Sequence, residues 1–412
     1  MTWFSPRPLL LPEIIALNSR WLPDKPAIII DERQLSWPDF GAGTARIGNA
    51  LTGLGLTRGD RVVVLMNNSA EMAEAMFGII CAGMVAVPLN VSVSDAAMCG
   101  MIANCNAKAV IASDEHVRRI ESRRAELGDD VSDRLIGLGD LPPGWLGYTH
   151  LRDGASSRPV DVSVEPQDEC NIIYSSGTTG QPKGIVHSHS CRMAWASEMA
   201  VALRYHSGAR TLLSLGLYSN ISWVAMLATV FAGGSMVIQR RFDPRECLQA
   251  IEQHRITHSA MVPVQFQRLL ECAQFDQFDL SSLHAQMCCG SPLAVEIKQQ
   301  LMDRVPGQFI ELYGLTEGLV TILPPEDMAA KIDSVGRPCP GQDLVILDEN
   351  DQVQPAGRKG EIVGHSRFMM SGYHHNDSEN EAATWVAPCG QRWLRTGDIG
   401  QVDEDGFLYL VD

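Results

Sequence analysis

Between Tyr174 and Gly184 the chain reads Tyr-Ser-Ser-Gly-Thr-Thr-Gly-Gln-Pro-Lys-Gly, a run dense in groups that bind anions. Ser175, Ser176, Thr178 and Thr179 supply hydroxyls around Gly177 and Gly180, and Lys183 adds a cation. Ile172-Ile173 leads in and Ile185-Val186 follows, so the run reads as a glycine-permitted turn between two buried strands. Such a turn exposes backbone N–H groups as an anion nest and suits a polyphosphate. A polar surface loop has the same composition. The G-x-x-x-x-G-K-[ST] loop is excluded, because Gly184 follows Lys183 where a hydroxyl residue should hold magnesium, and Pro182 precedes it.

Other candidates lie far along the chain. Glu317, after Tyr313-Gly314-Leu315-Thr316, reads as a carboxylate able to hold a hard cation or as a solvated glutamate at a helix start. Asp398 follows Thr396-Gly397, which is also ordinary turn composition. Tyr313 could equally be core packing. His189, just past the hydroxyl-rich run, is expected to play a structural hydrogen-bonding role, and His374-His375 to lie in a surface loop.

The elements that must position these residues follow from periodicity. Residues 13–20 and 38–54 have the apolar spacing of amphipathic helices, with a strand at Ala27–Ile30 between them. Strands at 62–65, 85–89 and 109–111 alternate with helices across Ala70–Cys81 and Asp95–Asn104. That alternation predicts parallel sheets covered by helices on both faces, a layered α/β fold. Residues 128–162, rich in Gly, Pro, Ser and Asp, read as loop or linker, and the α/β alternation resumes at Cys170. Past Gly341 short runs between turns predict a smaller antiparallel, barrel-like subdomain. The expected organisation is thus an α/β part over 1–340, divided into 1–169 and 170–340, followed by a β-rich part over 341–412.

Composition limits the functions open to the chain. With 412 residues, 45% of them hydrophobic, it can bury a large core. A net charge of −16 excludes a nucleic-acid surface of the usual basic kind. Eleven cysteines without a C-x-x-C pair fit free thiols in a reducing cytoplasm rather than a zinc site or disulfide framework. Leu9–Leu11 is broken by Pro8 and Pro12 and lacks a positive flank, so it does not read as a signal peptide. Ile221–Ile238 is uncharged, but Gly233-Gly234 divides it into helix and strand, and a transmembrane segment is rejected.

Taken together, the motifs resemble the adenylate-forming superfamily: acyl-CoA and aryl-CoA ligases, luciferase and peptide-synthetase adenylation domains. Tyr174–Gly184 resembles its phosphate loop, Gly290-Ser291-Pro292-Leu293 its segment beside the adenine, and Tyr313–Glu317 its Y-G-x-T-E element. Gly360-Glu361-Ile362 with Gly372-Tyr373, and Arg395–Asp398, resemble two later elements, all in the family's order. The resemblance implies ATP-dependent activation of a carboxylic acid, aromatic or fatty, to an acyl-adenylate, then, in the full-length enzyme, a thioester with CoA. By the same resemblance Ser175, Ser176, Gly177, Thr178, Thr179, Gly180 and Lys183 would hold the β- and γ-phosphates. Thr316 would donate to the α-phosphate, Glu317 would bind Mg²⁺, Asp398 would accept the ribose hydroxyls, and Tyr313 with Gly314 would lie beside the adenine. Loading of a carrier-protein thiol and a silent nucleotide or acid binder are the competing readings, and a homodimer is left open.

Departures from the family bear on the acid. Ser219 stands where a histidine is common, within Gly216-Leu217-Tyr218-Ser219-Asn220. Tyr218, Asn220, Trp223 and Val224 are expected pocket walls, with core packing the alternative for Trp223. Cys289 stands where glycine is usual and should narrow the pocket floor, favouring an aromatic or short acid over an extended fatty chain. The chain ends in the strand-like run Leu408–Asp412 without a polar tail, as at a domain junction. Family members continue there into a small domain that carries the adenylation lysine. These residues alone are therefore expected to bind ATP and acid, to make adenylate poorly and not to complete the thioester.

Overall fold

The structure, a computed structural model, describes residues 8–175 and 182–411. By contacts the chain divides into two compact units, one of residues 1–193 with 216–219 and the other of 194–215 with 220–412.

In the first unit, seven strands follow in the order Lys183–Ser188, Glu169–Ser175, Val85–Pro88, Arg61–Leu65, Ala107–Ala112, Leu135–Gly137, Leu146–Gly147. All neighbours are parallel except the first pair, an antiparallel hairpin that pairs Ser175 with Lys183 next to the connecting segment. Val62 to Leu65 and Val85 to Pro88 are buried along their whole length, as a sheet covered on both faces requires. Met98, Ile102, Val117 and Ile120 from two helices pack against Val63, Leu65, Val85 and Val87. The helices start where capping side chains satisfy free amides: Ser69 Oγ accepts from Met72 N at 3.0 Å, and Ser94 Oγ from Ala97 N.

Residues 128–162 are not all loop. Leu135–Gly137 and Leu146–Gly147 extend the sheet, and Tyr148–Gly154 is helical. Strands of two and three residues are too short to show alternation, and neighbouring Gly and Pro hid them. The helix is fixed by charge: the Arg152 guanidinium grips fully buried Glu74 with two 2.8 Å hydrogen bonds. Burial pushes the Glu74 carboxyl up, and Arg152 works against that shift.

In the second unit, seven strands run in the order Arg337–Pro338, Val320–Leu323, Gln308–Gly314, Ala285–Cys288, His258–Met261, Arg210–Leu213, Ser235–Ile238. Those from Gln308–Gly314 onward are mutually parallel, whereas the edge formed by the first two is antiparallel. Helix Asn220–Ala232 leads through Gly233-Gly234 to strand Ser235–Ile238, as expected. Among the described residues no helix is long and apolar enough to cross a membrane. A smaller antiparallel sheet joins Asp343–Leu347, Gly360–His365, Arg392–Val402 and Thr384–Val386, with Leu408–Leu410 paired to Arg392–Val402. Its inner face packs Ile346, Ile362 and Leu408 with Leu319 and Val335.

Because Glu74 has no exposure, Arg152→Met leaves a stranded carboxylate. The expected loss is about 3 kcal/mol in urea denaturation. A loss under about 0.5 kcal/mol, the range of ordinary surface changes, would show that the pair does not hold the helix.

Candidate functional site

The site grows from the carboxyl ends of two neighbouring parallel strands, where α/β sheets characteristically bind ligands. Ala285–Cys288 pairs with Gln308–Gly314, placing Cys288 opposite Glu311. The turn after the first strand supplies Gly290, Ser291 and Pro292, and the end of the second supplies Tyr313 and Gly314. These five residues line one cavity of about 470 Å³ together with Glu311, Val335, Asp398 and Ile399.

Asp398 reaches this cavity from the antiparallel sheet. The Tyr313 hydroxyl donates to its Oδ2 at 2.7 Å, and burial together with that carboxylate raises the Tyr313 hydroxyl above its ordinary range. The Thr396-Gly397-Asp398 turn is held from behind. Thr396 Oγ1 donates to Ile362 O at 2.8 Å and accepts from Asp398 N at 3.0 Å. Gly397 N donates to Glu361 Oε1 at 3.2 Å, while Arg395 bridges Glu361 and Asp351.

Thr316 and Glu317 do not line this cavity; they occupy the turn directly after Gly314. The Glu317 carboxylate accepts from the Tyr373 hydroxyl at 2.9 Å, and its carbonyl accepts from Met370 N at 2.7 Å. Burial, then Glu317, pushes the Tyr373 hydroxyl up. Gly318 follows with φ +129°, and a Cβ there would lie 2.4 Å from Met369 Cα and Phe368 O. Only glycine fits such a backbone approach.

The remaining expected residues are placed as follows. Lys183 and Ser175 are half-buried at the end of the hairpin in the first unit, while Ser176, Gly177, Thr178, Thr179 and Gly180 lie outside the described residues. Tyr218 and Ser219 are half-buried in the first unit. Asn220 and Trp223 stand on the first turns of Asn220–Ala232 in the second, where Trp223 is fully buried. Cys289 is buried too, its thiol pushed up to about 12, which makes it a space-filler rather than a nucleophile.

His189 departs from expectation. It is fully buried, yet neither ring nitrogen has a hydrogen-bond partner among the described residues; its backbone N–H bonds Asp168 O at 3.0 Å instead. Desolvation pushes the ring down to about 4, which keeps it neutral. Sequence reasoning gave no role to Tyr373 or Glu361 and did not single out Glu311. The first two sit inside motifs already singled out, so their spacing was available as a signal.

The AMP-binding enzyme family matches residues 18–374. A feruloyl-CoA synthase from Amycolatopsis sp. is 30% identical over 96% of this chain and 77% of its own length. The fold is similar to that of a putative long-chain-fatty-acid CoA ligase from Rhodopseudomonas palustris CGA009, with a TM-score of 0.89 and 26% identity over 99% of this chain and 100% of that one. An anthranilate CoA ligase, AuaEII, in complex with anthranoyl-AMP gives a TM-score of 0.90 and 25% identity over 98% of this chain and 78% of that one.

Gly318 and Gly357 both have positive φ, but a Cβ at Gly357 meets nothing within 4 Å. Gly357→Ala should therefore cost only the left-handed penalty of about 1–2 kcal/mol. Gly318→Ala should cost clearly more by thermal or urea denaturation, and equal costs would show that the backbone approach at 318 is not tight.

Proposed function

This chain belongs to the AMP-binding enzyme family, and from that premise we propose how its residues divide the work of activating a carboxylic acid. The protein is an AMP-forming acid–CoA ligase. A carboxylate oxygen bonds to the α-phosphorus of ATP and pyrophosphate leaves; the CoA sulfur then bonds to the acyl carbon and AMP leaves. The first step brings two anions together, so fixed donors and cations must offset their repulsion.

The cavity shared by Gly290–Pro292, Tyr313-Gly314 and Asp398 carries the assignment of the nucleoside. Asp398 accepts the ribose hydroxyls; its bond from Tyr313 uses one lone pair and leaves acceptor capacity for two more donors. Tyr313 and Gly314 lie beside the adenine, with Ser291 and Pro292 as the facing wall. Thr316 donates to the α-phosphate. Lys183, with Ser175, Ser176, Gly177, Thr178, Thr179 and Gly180, is assigned the β- and γ-phosphates.

Mg²⁺ fits Glu317. Its carboxylate is a hard oxygen donor on the turn after Gly314, which suits a cation bound by one carboxylate plus substrate phosphates. When bound, the ion neutralises phosphate charge; the task of Tyr373 is to aim the carboxylate.

The acid is proposed to be aromatic or short. The extra bulk of Cys289 beside Gly290 supports this. Tyr218, Ser219, Asn220 and Trp223 are the remaining proposed pocket residues. The eleven cysteines, none in a C-x-x-C pair, favour a reducing compartment, and the cytoplasm is the proposed location.

Acid-dependent ATP–pyrophosphate exchange by the full-length protein tests the roles. Glu317→Ala should abolish Mg²⁺-dependent exchange with the fold intact, and unchanged exchange would remove Glu317 from the site. Asp398→Ala should weaken ATP binding by about 1–3 kcal/mol in a titration, the cost of leaving hydroxyls poorly paired. In CoA thioester assays of the full-length enzyme aromatic acids should outpace a long saturated acid; equal turnover of a sixteen-carbon acid would sink the pocket assignment.

A further inference from the structure

The direction of the Glu317 carboxylate depends on Tyr373, and the direction of Tyr373 depends on one further side chain. Tyr373 N donates to Asn380 Oδ1 at 2.7 Å, and Asn380 Nδ2 donates to Tyr373 O at 3.2 Å. Holding the N–H and the C=O of one residue fixes the direction of its Cα–Cβ bond, so only the side-chain torsions remain to place the hydroxyl. That hydroxyl reaches Glu317 Oε1 at 2.9 Å, and Glu317 is tied a second time where its carbonyl accepts from Met370 N. Amide, backbone, hydroxyl and carboxylate thus form one line of contacts.

Asn380 sits in the short helix Asp377–Ala382, where asparagine is a weak helix former because its amide competes for backbone groups. Here both halves of the amide are committed to a residue seven positions back. The main chain of Asn380 is held as well: its N–H donates to Asn376 O at 3.0 Å, and its carbonyl accepts from the Thr384 hydroxyl at 2.7 Å. Gly372 adjoins the clamp with φ +146°, and a Cβ there would lie 3.0 Å from Asn380 Oδ1. An apolar side chain would also tie this helix to Tyr373, but hydrophobic contact has no direction and a pair of hydrogen bonds does.

We infer that Asn380 is a positioning residue for the metal-dependent step, acting through the backbone and hydroxyl of Tyr373 on the Glu317 carboxylate. The inference rests on the reading of Glu317 as the Mg²⁺ ligand. Asn380 has no part of its own in binding or chemistry; its effect reaches the ion only through Tyr373.

Asn380 also lines a cavity of about 690 Å³ with Met370 and Thr384, so shortening its side chain opens into existing space and Asn380→Ala should fold. Folding is checked by thermal denaturation. ATP is titrated calorimetrically into the full-length protein with excess Mg²⁺ and again with a chelator, and the ratio of the two affinities reads what the protein gains from the ion. Asn380→Ala and Tyr373→Phe should each shrink that ratio roughly tenfold, the usual size of losing an outer partner of a metal ligand, with the affinity in chelator little changed. Combining them should do no more than Tyr373→Phe alone, because the clamp acts through the hydroxyl. Asn380→Asp keeps the acceptor for Tyr373 N and should lose less; if Asn380→Ala fails to fold, Asn380→Asp with and without Tyr373→Phe makes the same comparison. A folded Asn380→Ala protein with the parent's ratio, while Glu317→Ala lowers it, overturns the role of Asn380. A double variant in which the two losses multiply overturns it too. Glu317→Ala at the parent's ratio overturns instead the reading of Glu317 as the metal ligand.

Discussion

The second unit depends on a backbone contact that admits no side chain. Gly318 passes so close to Phe368 and Met369 that a single added carbon would overlap main-chain atoms. Hydrogen bonds close the joint on both sides: Met370 N donates to Glu317 O, and Ser366 Oγ to Gly318 O. Leu319 then covers Gly364, another position without room for a Cβ. Main chain against main chain leaves little freedom to slide, because no rotamer can absorb a displacement. The carboxylate of Glu317 and the hydroxyl of Tyr373 inherit that precision, as does the meeting of Tyr313 with Asp398 across the same two sheets.

The acidic groups of the cavity are each fixed by the protein: the Asp398 carboxylate accepts from the Tyr313 hydroxyl, and its turn is held from behind. Glu361, itself bridged to Arg395, receives the amide of Gly397, while Thr396 caps the turn that presents Asp398. The Glu311 carboxylate meets the Lys298 ammonium at 2.5 Å, with both side chains buried.

Much of the framework was legible in the sequence, for reasons particular to each element. Ala70–Cys81 and Asp95–Asn104 begin after serine caps and carry enough turns for their apolar faces to repeat, and their observed ends coincide with those expected. Leu135–Gly137 and Leu146–Gly147 were hidden because two or three residues cannot display a period. The antiparallel turn of the sheet at Val320–Leu323 was hidden too, since alternation alone does not give strand direction. Within the site, Tyr313, Gly314 and Asp398 could be read from motif spacing, and they meet in one cavity with Gly290, Ser291 and Pro292. Glu311 could not: between Ile310 and Leu312 it has the pattern of a strand residue facing water, and only the fold brings Lys298 over it. His189 shows the reverse error, a polar residue whose ring is enclosed without the expected partner among the described residues.

The buried ion pair also constrains how this sequence can drift. Changing either member alone leaves its partner's charge enclosed, whereas changing both together removes the cost. Positions 298 and 311 thus form one heritable unit, thirteen residues apart in the chain but crossed only by simultaneous or closely compensated substitutions. A lineage that once acquired the pair would tend to retain it long after neighbouring surface positions had turned over.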